Sequence, residues 1–341
     1  MNNMEKKSLV IINNEKVFDE GGQFYCSNYD MMATPEALNN YYSVQFIARK
    51  SKKKGGHKFD LKNIKIGSNI FGFMRHIYKT FKMPNTKYLL IDCNPYSFFS
   101  FLILFLFRKK TFLYLQSSGH EEWKYILGSW SVWIYHLMFL FITSNSKVII
   151  CNPRLYNTKK SFLVSPSRLN SEWLSNHKEA SLDKVRLLYV GRINPEKGIY
   201  DFVKIFDKIN FKAEFSIVGY KKDIRSKNKN INLLGYCSDS KLLINIYDSH
   251  NIMILPSFTE AHPYVVDECL SRKRPIIIFE EISYIANNKK GIFVSKRNLD
   301  AFSNTVNYIM KNYKKIQLSM EENNLPTKKI FIETFAEIFN K

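Results

Sequence analysis

The sequence predicts an α/β protein built from two doubly wound domains. A single hydrophobic core stops growing at about 250–300 residues, so a chain of 341 residues is expected to fold as two domains. Its hydrophobic content of 45% is ordinary for a globular protein. Short apolar runs alternate with helical patterns through both halves, and this alternation predicts strand–helix–strand units around parallel sheets.

In the first half, near-continuous apolar runs predict strands covered on both faces, at residues 8–14, 87–93, 111–116, 147–152 and 160–165. Helices are predicted at 98–107 and 128–144. The run FFSFLILFLF at 98–107 has about half of the ~20 residues that a membrane-spanning helix needs. We interpret it as a buried helix, with association at a membrane surface as the alternative.

The second half repeats this alternation. Strands are predicted at residues 185–191, 213–219, 230–235, 250–256 and 274–279, and helices at 198–209, 238–249, 264–273 and 301–324. The polar segment 165–184 predicts a linker. The domains are therefore placed at 1–165 and 166–326, followed by an amphipathic C-terminal helix at 327–341 with the option of packing back on the N-terminal domain.

The formal net charge of +21 predicts an anionic partner, which leaves nucleic acid, a membrane surface and a phosphorylated ligand as candidates. Nucleic acid is disfavoured because the sequence contains neither a reading helix nor an RNP-like aromatic sheet.

The five cysteines are scattered without a C-x-x-C pair, which favours a reducing cytosol over a disulfide or zinc framework. The first 18 residues lack a signal-peptide cleavage site. No D-x-D motif stands at a strand end, so neither a metal nor a cofactor is expected.

The stretch YVGRINPEKG at 189–198 is the first motif with chemical content. Its strand ends at Gly191, and ligands of open α/β sheets bind at the carboxyl ends of strands. Arg192 and Lys197 follow at once, and two cations on a glycine-bounded loop suit a diphosphate. The alternative is a loop that carries two solvated cations.

The second motif is PSFTEAHPYVVDE at 256–268, in which Glu260 and Glu268 are separated by seven residues. Glu260 lies in a loop after a strand, and Glu268 lies near the first turn of the next helix. The carboxylates can accept hydroxyl hydrogen bonds, whereas the helix N-terminus can bind phosphate. Together these groups predict a nucleotide-sugar site. The alternative is a solvated helix face.

Residues 187–278, which contain both motifs together with FSIVGY and INLLGYCSDS, resemble the C-terminal domain of family-4 retaining glycosyltransferases. This resemblance implies the GT-B fold, two Rossmann-like domains that face each other across a cleft. It implies that Arg192 and Lys197 bind the donor diphosphate, Glu260 the donor sugar and Glu268 the ribose. The other donor-binding positions that it implies are Gly191, Gly219, Gly235, Tyr236, His262, Pro263 and Tyr264. Many members have E-G-F-G where this chain has Glu260-Ala261-His262-Pro263, so the identity of the sugar stays open.

The N-terminal half resembles the family only in layout. Gly21 and Gly22 match its glycine loop near phosphate and acceptor, and His120 matches its histidine at the donor sugar. The alternative for His120 is a solvated side chain in a polar loop.

The resemblance implies transfer of a sugar, with retention of configuration, from a nucleotide diphosphate sugar to a hydroxyl acceptor. A basic cluster at residues 49–54 and the aromatic segment that contains Trp130 and Trp133 predict a peripheral enzyme at the inner face of the cell membrane. The basic cluster comprises Arg49, Lys50, Lys52, Lys53 and Lys54. A lipid-linked glycan of bacterial O-antigen or capsule synthesis is the expected acceptor. The alternative for this membrane surface is a solvated basic loop beside a buried aromatic helix.

Two other functions are compatible with such a fold. A non-catalytic GT-B subunit would have lost its phosphate and hydroxyl ligands, yet Arg192, Lys197, Glu260 and Glu268 are all present. A glycan phosphorylase of this fold carries pyridoxal phosphate in a much longer chain.

Overall fold

The computed structural model describes residues 6–219, 224, 226 and 228–341. The first five residues lie outside the described part; they begin the N-terminal segment for which the sequence predicts no signal peptide. The chain divides into two compact units: the first runs to Ser165 and regains Ile330–Lys341, and the second comprises Pro166–Lys329.

The first unit is built on one mixed sheet. Its strands are β1 (Ser8–Glu20), β2 (Gln23–Cys26), β3 (Ser43–Lys50), β4 (His57–Lys58), β5 (Ile64–Gly67), β6 (Lys87–Ile91), β7 (Thr111–Leu115), β8 (Lys147–Ile150) and β9 (Ser161–Leu163). Seven of these strands are parallel in the order β5-β3-β1-β6-β7-β8-β9. β2 pairs antiparallel with the second half of β1, and β4 pairs antiparallel with β2. The direction of winding reverses between β1 and β6, so the carboxyl ends of these strands form a topological switch point.

Five helices connect these strands: α1 (Tyr29–Leu38), α2 (Ile70–Lys79), α3 (Pro95–Leu106), α4 (Gly119–Leu127) and α5 (Ser131–Asn145). Local signals start several of them. Asn94, for example, accepts a hydrogen bond from the backbone N–H of Ser97 at 3.0 Å, and Pro95 occupies the first turn of α3, where its missing N–H is not needed.

The second unit contains a six-stranded parallel sheet in the order β12-β11-β10-β13-β14-β15. Its strands are β10 (Val185–Val190), β11 (Ala213–Val218), β12 (Ile231–Gly235), β13 (Ile252–Leu255), β14 (Ile276–Phe279) and β15 (Ile292–Ser295). Its helices are α6 (Ser171–Leu174), α7 (Ile199–Phe206), α8 (Ser240–Asp248), α9 (Tyr264–Ser271), α10 (Leu299–Lys311) and α11 (Tyr313–Ser319). The switch point lies between β10 and β13. The α/β class with parallel sheets is thus confirmed.

The chain after the second unit forms α12 (Lys328–Ile338), whose aromatic residues pack into the first unit. Phe335 lies 4.8 Å from the ring of Tyr114, and Phe339 lies 4.9 Å from the ring of Phe112. The hydroxyl of Tyr42 donates to the carbonyl of Ala336 at 2.8 Å.

Several local expectations differ from the structure. The predicted first strand at 8–14 continues to Glu20, because its second half pairs with β2 in a hairpin. The predicted helix at 128–144 begins at Ser131, after α4 has ended at Leu127. No strand was predicted between residues 15 and 86, yet the region 43–67 contributes β3, β4 and β5. These are edge strands or strands rich in polar residues, so the apolar-run criterion missed them.

Helix α3 is buried on one face only. Phe101 and Leu104 are inaccessible, whereas Leu106 is 76% exposed. The interpretation of residues 98–107 as a buried helix therefore holds for half of the helix surface. In the described part of the chain, no helix combines the length and the apolar character needed to cross a bilayer.

Two buried arginines tie the predicted linker to the second unit. Arg272 pairs with Asp248 through both carboxylate oxygens at 2.9 and 2.8 Å, and it also donates to the carbonyls of Trp173, Ser175 and Asn176. These bonds use all five N–H groups of the guanidinium. Arg274 likewise donates to four backbone carbonyls.

Candidate functional site

The candidate donor site lies at the carboxyl edge of the second sheet, where the loops after β10 and β13 meet. The loop after β10 runs from Gly191 to Gly198 and contains a short 3₁₀ turn at Pro195–Lys197. Gly198 has a φ of 64°, and a Cβ at this position would meet the carbonyl oxygen of Pro256 at 1.9 Å. Glycine is therefore required here, because it lets the two loops approach each other closely.

Lys197 and Glu260 form the centre of this site. The Lys197 ammonium lies 2.6 Å from Glu260 Oε1, and both side chains are largely buried, with 17% and 11% of their surface exposed. Ser257 donates its hydroxyl to the same carboxylate oxygen at 2.7 Å. An ammonium group has three donor hydrogens, so Lys197 retains donors for an anionic ligand beside this carboxylate.

The loop that carries Glu260 is fixed at several points. The backbone N–H of Phe258 donates to the carbonyl of Glu196 at 3.0 Å, which joins this loop to the loop after β10. The hydroxyl of Tyr284 donates to the carbonyl of Glu260. The guanidinium of Arg297 lies over the ring of Phe258 at 4.2 Å and donates to the carbonyl of Ser257 at 3.4 Å. Glu260 is thus preorganised by backbone contacts rather than by its ion pair alone.

Arg192 follows Gly191 on the same loop and exposes its side chain. Its carbonyl accepts a hydrogen bond from the hydroxyl of Tyr189 at 2.6 Å. Burial raises the pKa of Tyr189, so this phenol stays protonated and continues to donate. Lys197 and Arg192 therefore lie on one loop at the switch point, one cation paired and largely buried and the other exposed.

The glycines predicted for the donor site come together at the neighbouring strand ends. The backbone N–H of Gly219 donates to the carbonyl of Gly235 at 2.9 Å, and a Cβ at Gly219 would meet the carbonyl oxygen of Gly191 at 2.3 Å. Gly235 has a φ of 78°, in the left-handed region that favours glycine. Tyr236, which follows it, is 41% exposed. This places an exposed aromatic ring beside a glycine-lined strand edge.

Pro263 precedes α9, and Tyr264 is its first residue. His262 Nε2 lies 3.4 Å from Asp267 Oδ2, and Lys289 pairs with the other oxygen of this carboxylate. Burial opposes ionisation of Asp267, but the neighbouring imidazole of His262 and the charge of Lys289 outweigh it and hold its pKa below the usual value. His262 is therefore oriented by a buried carboxylate.

Glu268 does not lie where the sequence placed it. It stands in the second half of α9 rather than near the first turn, and it is only 2% exposed. Its Oε2 accepts a hydrogen bond from the hydroxyl of Tyr247 at 2.8 Å, and Arg168 lies 3.9 Å from its Oε1. The guanidinium of Arg168 also covers the ring of Tyr264 at 4.6 Å. This carboxylate is held within the second unit, because α8 and the predicted linker both supply partners to it.

The first unit has a cavity of about 540 Å³ at its own switch point. Asn13 and Asn14 from β1, Asp92 and Cys93 after β6 and Gln116 after β7 lie in its wall. Four carboxyl side chains line this cavity and two basic side chains accompany them: Glu15, Asp30, Asp92, Glu122, Lys16 and Arg49. The wall is therefore predominantly acidic, in a protein whose overall charge is strongly positive.

Asp92 is the most perturbed acid of this cavity. Its φ is 56°, in the left-handed region, and its Oδ1 accepts the backbone N–H of Gln116 at 2.6 Å. Burial raises the pKa of Asp92 to about 7, against the opposing effect of that hydrogen bond, and the negative charge of Glu122 raises it further. This carboxyl group therefore titrates near neutral pH.

The structure does not bring Gly21 and Gly22 to the cavity. They form the exposed turn between β1 and β2, where the N–H of Gly22 donates to Asp19 at 2.8 Å. β1 continues well past Asn13, the last residue that pairs with β6, and this carries the glycine turn away from the carboxyl edge. The glycines therefore form a hairpin turn instead of a loop at the switch point.

His120 lies at the start of α4 and packs against α5. Its Nε2 is 3.1 Å from His136 Nδ1, and its ring contacts Tyr135 and Phe139 edge-on. Burial lowers the pKa of His120, and the neighbouring His136 lowers it further. This histidine is not among the residues that line the cavity, although Gly119 before it is.

The predicted basic cluster is not a uniform solvated surface. Arg49 bonds Asn14 at 3.1 Å and lies 4.5 Å above the ring of Tyr96. Lys54 pairs with Glu20. Lys50, Lys52 and Lys53 are exposed.

The sequence analysis missed Ser257, Tyr284 and Arg297 around Glu260, and Arg168 and Tyr247 around Glu268. Four of these five residues lie outside the two motifs, and no local pattern marks them. Only Ser257 falls inside a motif, where a serine three residues before the glutamate is a weak signal. In the described residues, no group of three or more His, Cys, Asp or Glu side chains is arranged to hold a metal ion.

Known proteins with similar sequences were found for this chain. Residues 184–312 match the family model described as glycosyl transferases group 1. An uncharacterized 41.2 kDa protein of the cps region of Klebsiella pneumoniae is 23% identical over 262 residues, which are 75% of this chain and 69% of that protein. The matched residues all lie in the second unit, which is therefore similar to glycosyltransferases of group 1 over this range.

Two solved structures are similar over nearly the whole chain. Sucrose-phosphate synthase from Thermosynechococcus elongatus has a TM-score of 0.74 at 14% identity, with 98% of each chain covered. HepE from Anabaena, in complex with UDP and glucose, has a TM-score of 0.71 at 10% identity, covering 99% of this chain and 100% of the other. At such low identity these likenesses establish the fold, and the GT-B prediction is confirmed. Together with the family match they support a GT-B glycosyltransferase.

Proposed function

We propose that this protein transfers a sugar from a nucleoside diphosphate sugar to a hydroxyl group of a bacterial surface polysaccharide precursor, with retention of the anomeric configuration. The observation that carries the proposal is the contact of Lys197 with Glu260 at the switch point of the second sheet, with Arg192 exposed on the same loop. Carboxylate and ammonium groups at one strand edge match the hydroxyl groups and the diphosphate of such a donor.

The donor sugar is assigned to Glu260 and the diphosphate to Lys197 and Arg192. When the glycosidic bond to the diphosphate breaks, negative charge grows on the departing phosphate. Fixed cations at that position stabilise the charge without reorganisation, and each such group contributes ~10²–10³ in rate. Glu260 keeps its position through the contacts of its loop when Lys197 turns toward the phosphate. The acceptor hydroxyl attacks the anomeric carbon, and its proton leaves with the departing phosphate.

The nucleoside is assigned to the edge formed by Gly191, Gly219, Gly235 and the exposed ring of Tyr236. Because these glycines carry no side chain, a base and its ribose can approach the backbone of this edge closely. The buried position of Glu268 makes it a partner of Tyr247 and Arg168 first. Its contact with ribose stays a prediction. HepE, solved with UDP and glucose, makes UDP-sugars the first donors to examine.

The acceptor is assigned to the cavity of the first unit. Because its wall is predominantly acidic, we propose that it receives the hydroxyl-bearing sugar of the acceptor rather than a phosphate. The relative from a cps region supports a precursor of capsule or a related surface polysaccharide. A lipid-linked precursor places the protein at the cytoplasmic side of the cell membrane. No metal ion or other cofactor is assigned to the reaction.

A panel of UDP-, GDP-, dTDP- and ADP-sugars tests the donor assignment by thermal shift. A ligand at ~100 times its dissociation constant adds about 2.7 kcal/mol to the free energy of unfolding. We expect one nucleotide class to stabilise wild type and to lose that effect in Arg192→Ala. NMR of the product then assigns its anomeric configuration. Failure of the whole panel to bind would refute the proposed donor site.

A further inference from the structure

The helical layer of the first unit exposes an unusual number of large apolar side chains. On α5 and the residue before it, Trp130, Trp133, Leu137 and Leu140 are between 45% and 63% exposed. Their spacing of three, four and three residues places them on one stripe of the helix. Soluble proteins rarely expose large contiguous apolar patches unless the patch contacts a partner or a membrane.

The end of helix α3 adds more exposed apolar side chains beside this stripe. Phe105 is 44% exposed and Leu106 is 76% exposed, and Phe107, which follows the helix, is 52% exposed. The ring of Phe141 on α5 lies 5.6 Å from that of Phe105, so the two groups are adjacent. On the other side of α3, the exposed Tyr78 of α2 lies 5.8 Å from Phe107. We call the exposed apolar residues of α2, α3 and α5, together with Phe107 and Trp130, the aromatic face.

Basic residues far outnumber acids in the part of the sequence that carries the aromatic face. Residues 61–165 contain 14 Lys and Arg and only three acids, which are Asp92, Glu121 and Glu122. None of the three acids lies on α2, α3 or α5. Lys79 and Lys82 follow Tyr78, and Lys110 follows the end of α3; all three are exposed. The apolar patch is therefore bordered by these lysines along α2 and α3, whereas Glu121 and Glu122 lie on α4, which packs against α5.

We infer that the aromatic face is a membrane-docking surface that inserts its aromatic and leucine side chains among the anionic lipids of a bilayer leaflet. Tryptophan favours the boundary between headgroups and acyl chains, and lysine next to it can reach lipid phosphates. Each cation near such a leaflet contributes attraction worth about fivefold in binding. The main alternative occupant is a second copy of the chain. A two-fold contact between identical faces would bring their lysine borders together, and like charges would oppose it.

The membrane contact predicted from the sequence thus keeps the segment of Trp130 and Trp133 and extends over α2 and α3, but it leaves out residues 49–54, where Arg49 and Lys54 already have protein partners. It rests on the membrane part of the proposed function and names the surface that serves it.

Sedimentation of the full-length protein with lipid vesicles tests the inference without any donor or acceptor present. Vesicles that contain phosphatidylglycerol are compared with vesicles of phosphatidylcholine alone, at low and high salt. We expect wild type to bind the anionic vesicles, and salt to weaken the binding by screening. The apolar variant combines Leu106→Ser, Trp133→Ser and Leu137→Ser, and we expect it to bind more than about 100-fold more weakly.

The basic variant combines Lys79→Gln, Lys82→Gln and Lys110→Gln, and about 100-fold weaker binding to anionic vesicles is expected from three cations. A matched control carries Leu242→Ser and Leu318→Ser in the second unit, where these side chains are 54% and 66% exposed. It should bind as wild type does. Because the replaced side chains are exposed, all variants should keep the melting temperature of wild type.

Three results would overturn the inference. The first is no binding of wild type to anionic vesicles, and the second is equal binding of the apolar variant and wild type. The third is a wild-type dimer that does not bind vesicles and that the substitutions of the apolar variant convert to a monomer. Donor binding measured on the same preparations separates this inference from the proposed function. Wild type that binds vesicles but no nucleotide sugar would refute the donor site alone. Wild type that binds a nucleotide sugar but no vesicles would refute the membrane-docking role of the aromatic face alone.

Discussion

Replacement of Lys197 by methionine separates the structural and the catalytic roles of the central ion pair. Methionine keeps most of the apolar stem and removes the ammonium 2.6 Å from Glu260. Breaking a fully buried pair by removing one partner costs about 3–5 kcal/mol. Since 17% and 11% of these side chains remain exposed, and Ser257 still donates to the carboxylate, we expect a smaller loss of about 1–3 kcal/mol.

Expressed as a free energy, the loss of catalytic rate in Lys197→Met should exceed this loss of stability. If Lys197 opposes the charge on the departing phosphate, its removal lowers kcat by ~10²–10³. The double variant Lys197→Met, Glu260→Gln distinguishes the two roles, because it no longer leaves an unpaired carboxylate in a buried position. We expect it to regain most of the stability but none of the rate. Urea unfolding gives the stability, and initial rates of sugar transfer or donor hydrolysis give kcat.

Lys204 offers a matched control. It pairs with Asp201 at 2.8 Å, but these side chains are 73% and 42% exposed. Exposed pairs contribute ~0–1 kcal/mol, so Lys204→Met should change neither stability nor rate by much. The leaving-group role of Lys197 is refuted if Lys197→Met keeps its rate within about threefold of wild type. Recovery of rate together with stability in the double variant would instead mean that neither charge is needed for catalysis, which would refute the roles assigned to both residues.

Three further predictions concern stability, pH and metal ions. Arg272→Lys cannot reproduce five directed N–H bonds to Asp248 and the linker carbonyls, so the free energy of unfolding should fall by about 3–5 kcal/mol in urea titrations, and a loss below about 1 kcal/mol would contradict this. Asp92 has a folded pKa of about 7, above its unfolded value, so the folded state holds more protons between about pH 4 and 7 and its ionisation lowers stability as the pH rises through that window. Asp92→Asn, which also tolerates the left-handed backbone, should therefore raise the melting temperature more at pH 8 than at pH 5, and an equal change at both would refute the pKa. Treatment with EDTA should leave the rate of sugar transfer unchanged, and a loss restored by Mg²⁺ or Mn²⁺ would show a metal requirement.

The sequence predicted the sheets of both units well where strands were buried on both faces. The runs that begin at Lys87, Thr111 and Val185 are apolar at nearly every position, and they form β6, β7 and β10. It failed where a strand was short, polar or at an edge, as in β3, β4 and β5. Such strands depend on pairing with distant partners, and a local pattern does not record that pairing.

The candidate site shows the same division. Because the carboxyl ends of parallel strands share one edge, strand ends alone predicted that the loops of Lys197 and Glu260 meet, and the structure joins them at 2.6 Å. The family resemblance assigned Glu268 to ribose, and this stays a prediction; what the sequence did not indicate is that Tyr247 and Arg168 are partners of this carboxylate inside the second unit. His120 likewise packs against Tyr135 of α5, a contact that its polar neighbours in the sequence did not indicate.

The sequence by itself determined which residues form the strands and which loops follow them, because hydrophobic periodicity and glycine and proline positions are local properties of the chain. Only the tertiary structure decided which charges are paired, which carboxyl group holds a proton near pH 7, and which apolar helix surfaces remain exposed. Each of these depends on side chains that lie far apart in sequence, because burial and the distance between charges arise only when the elements pack.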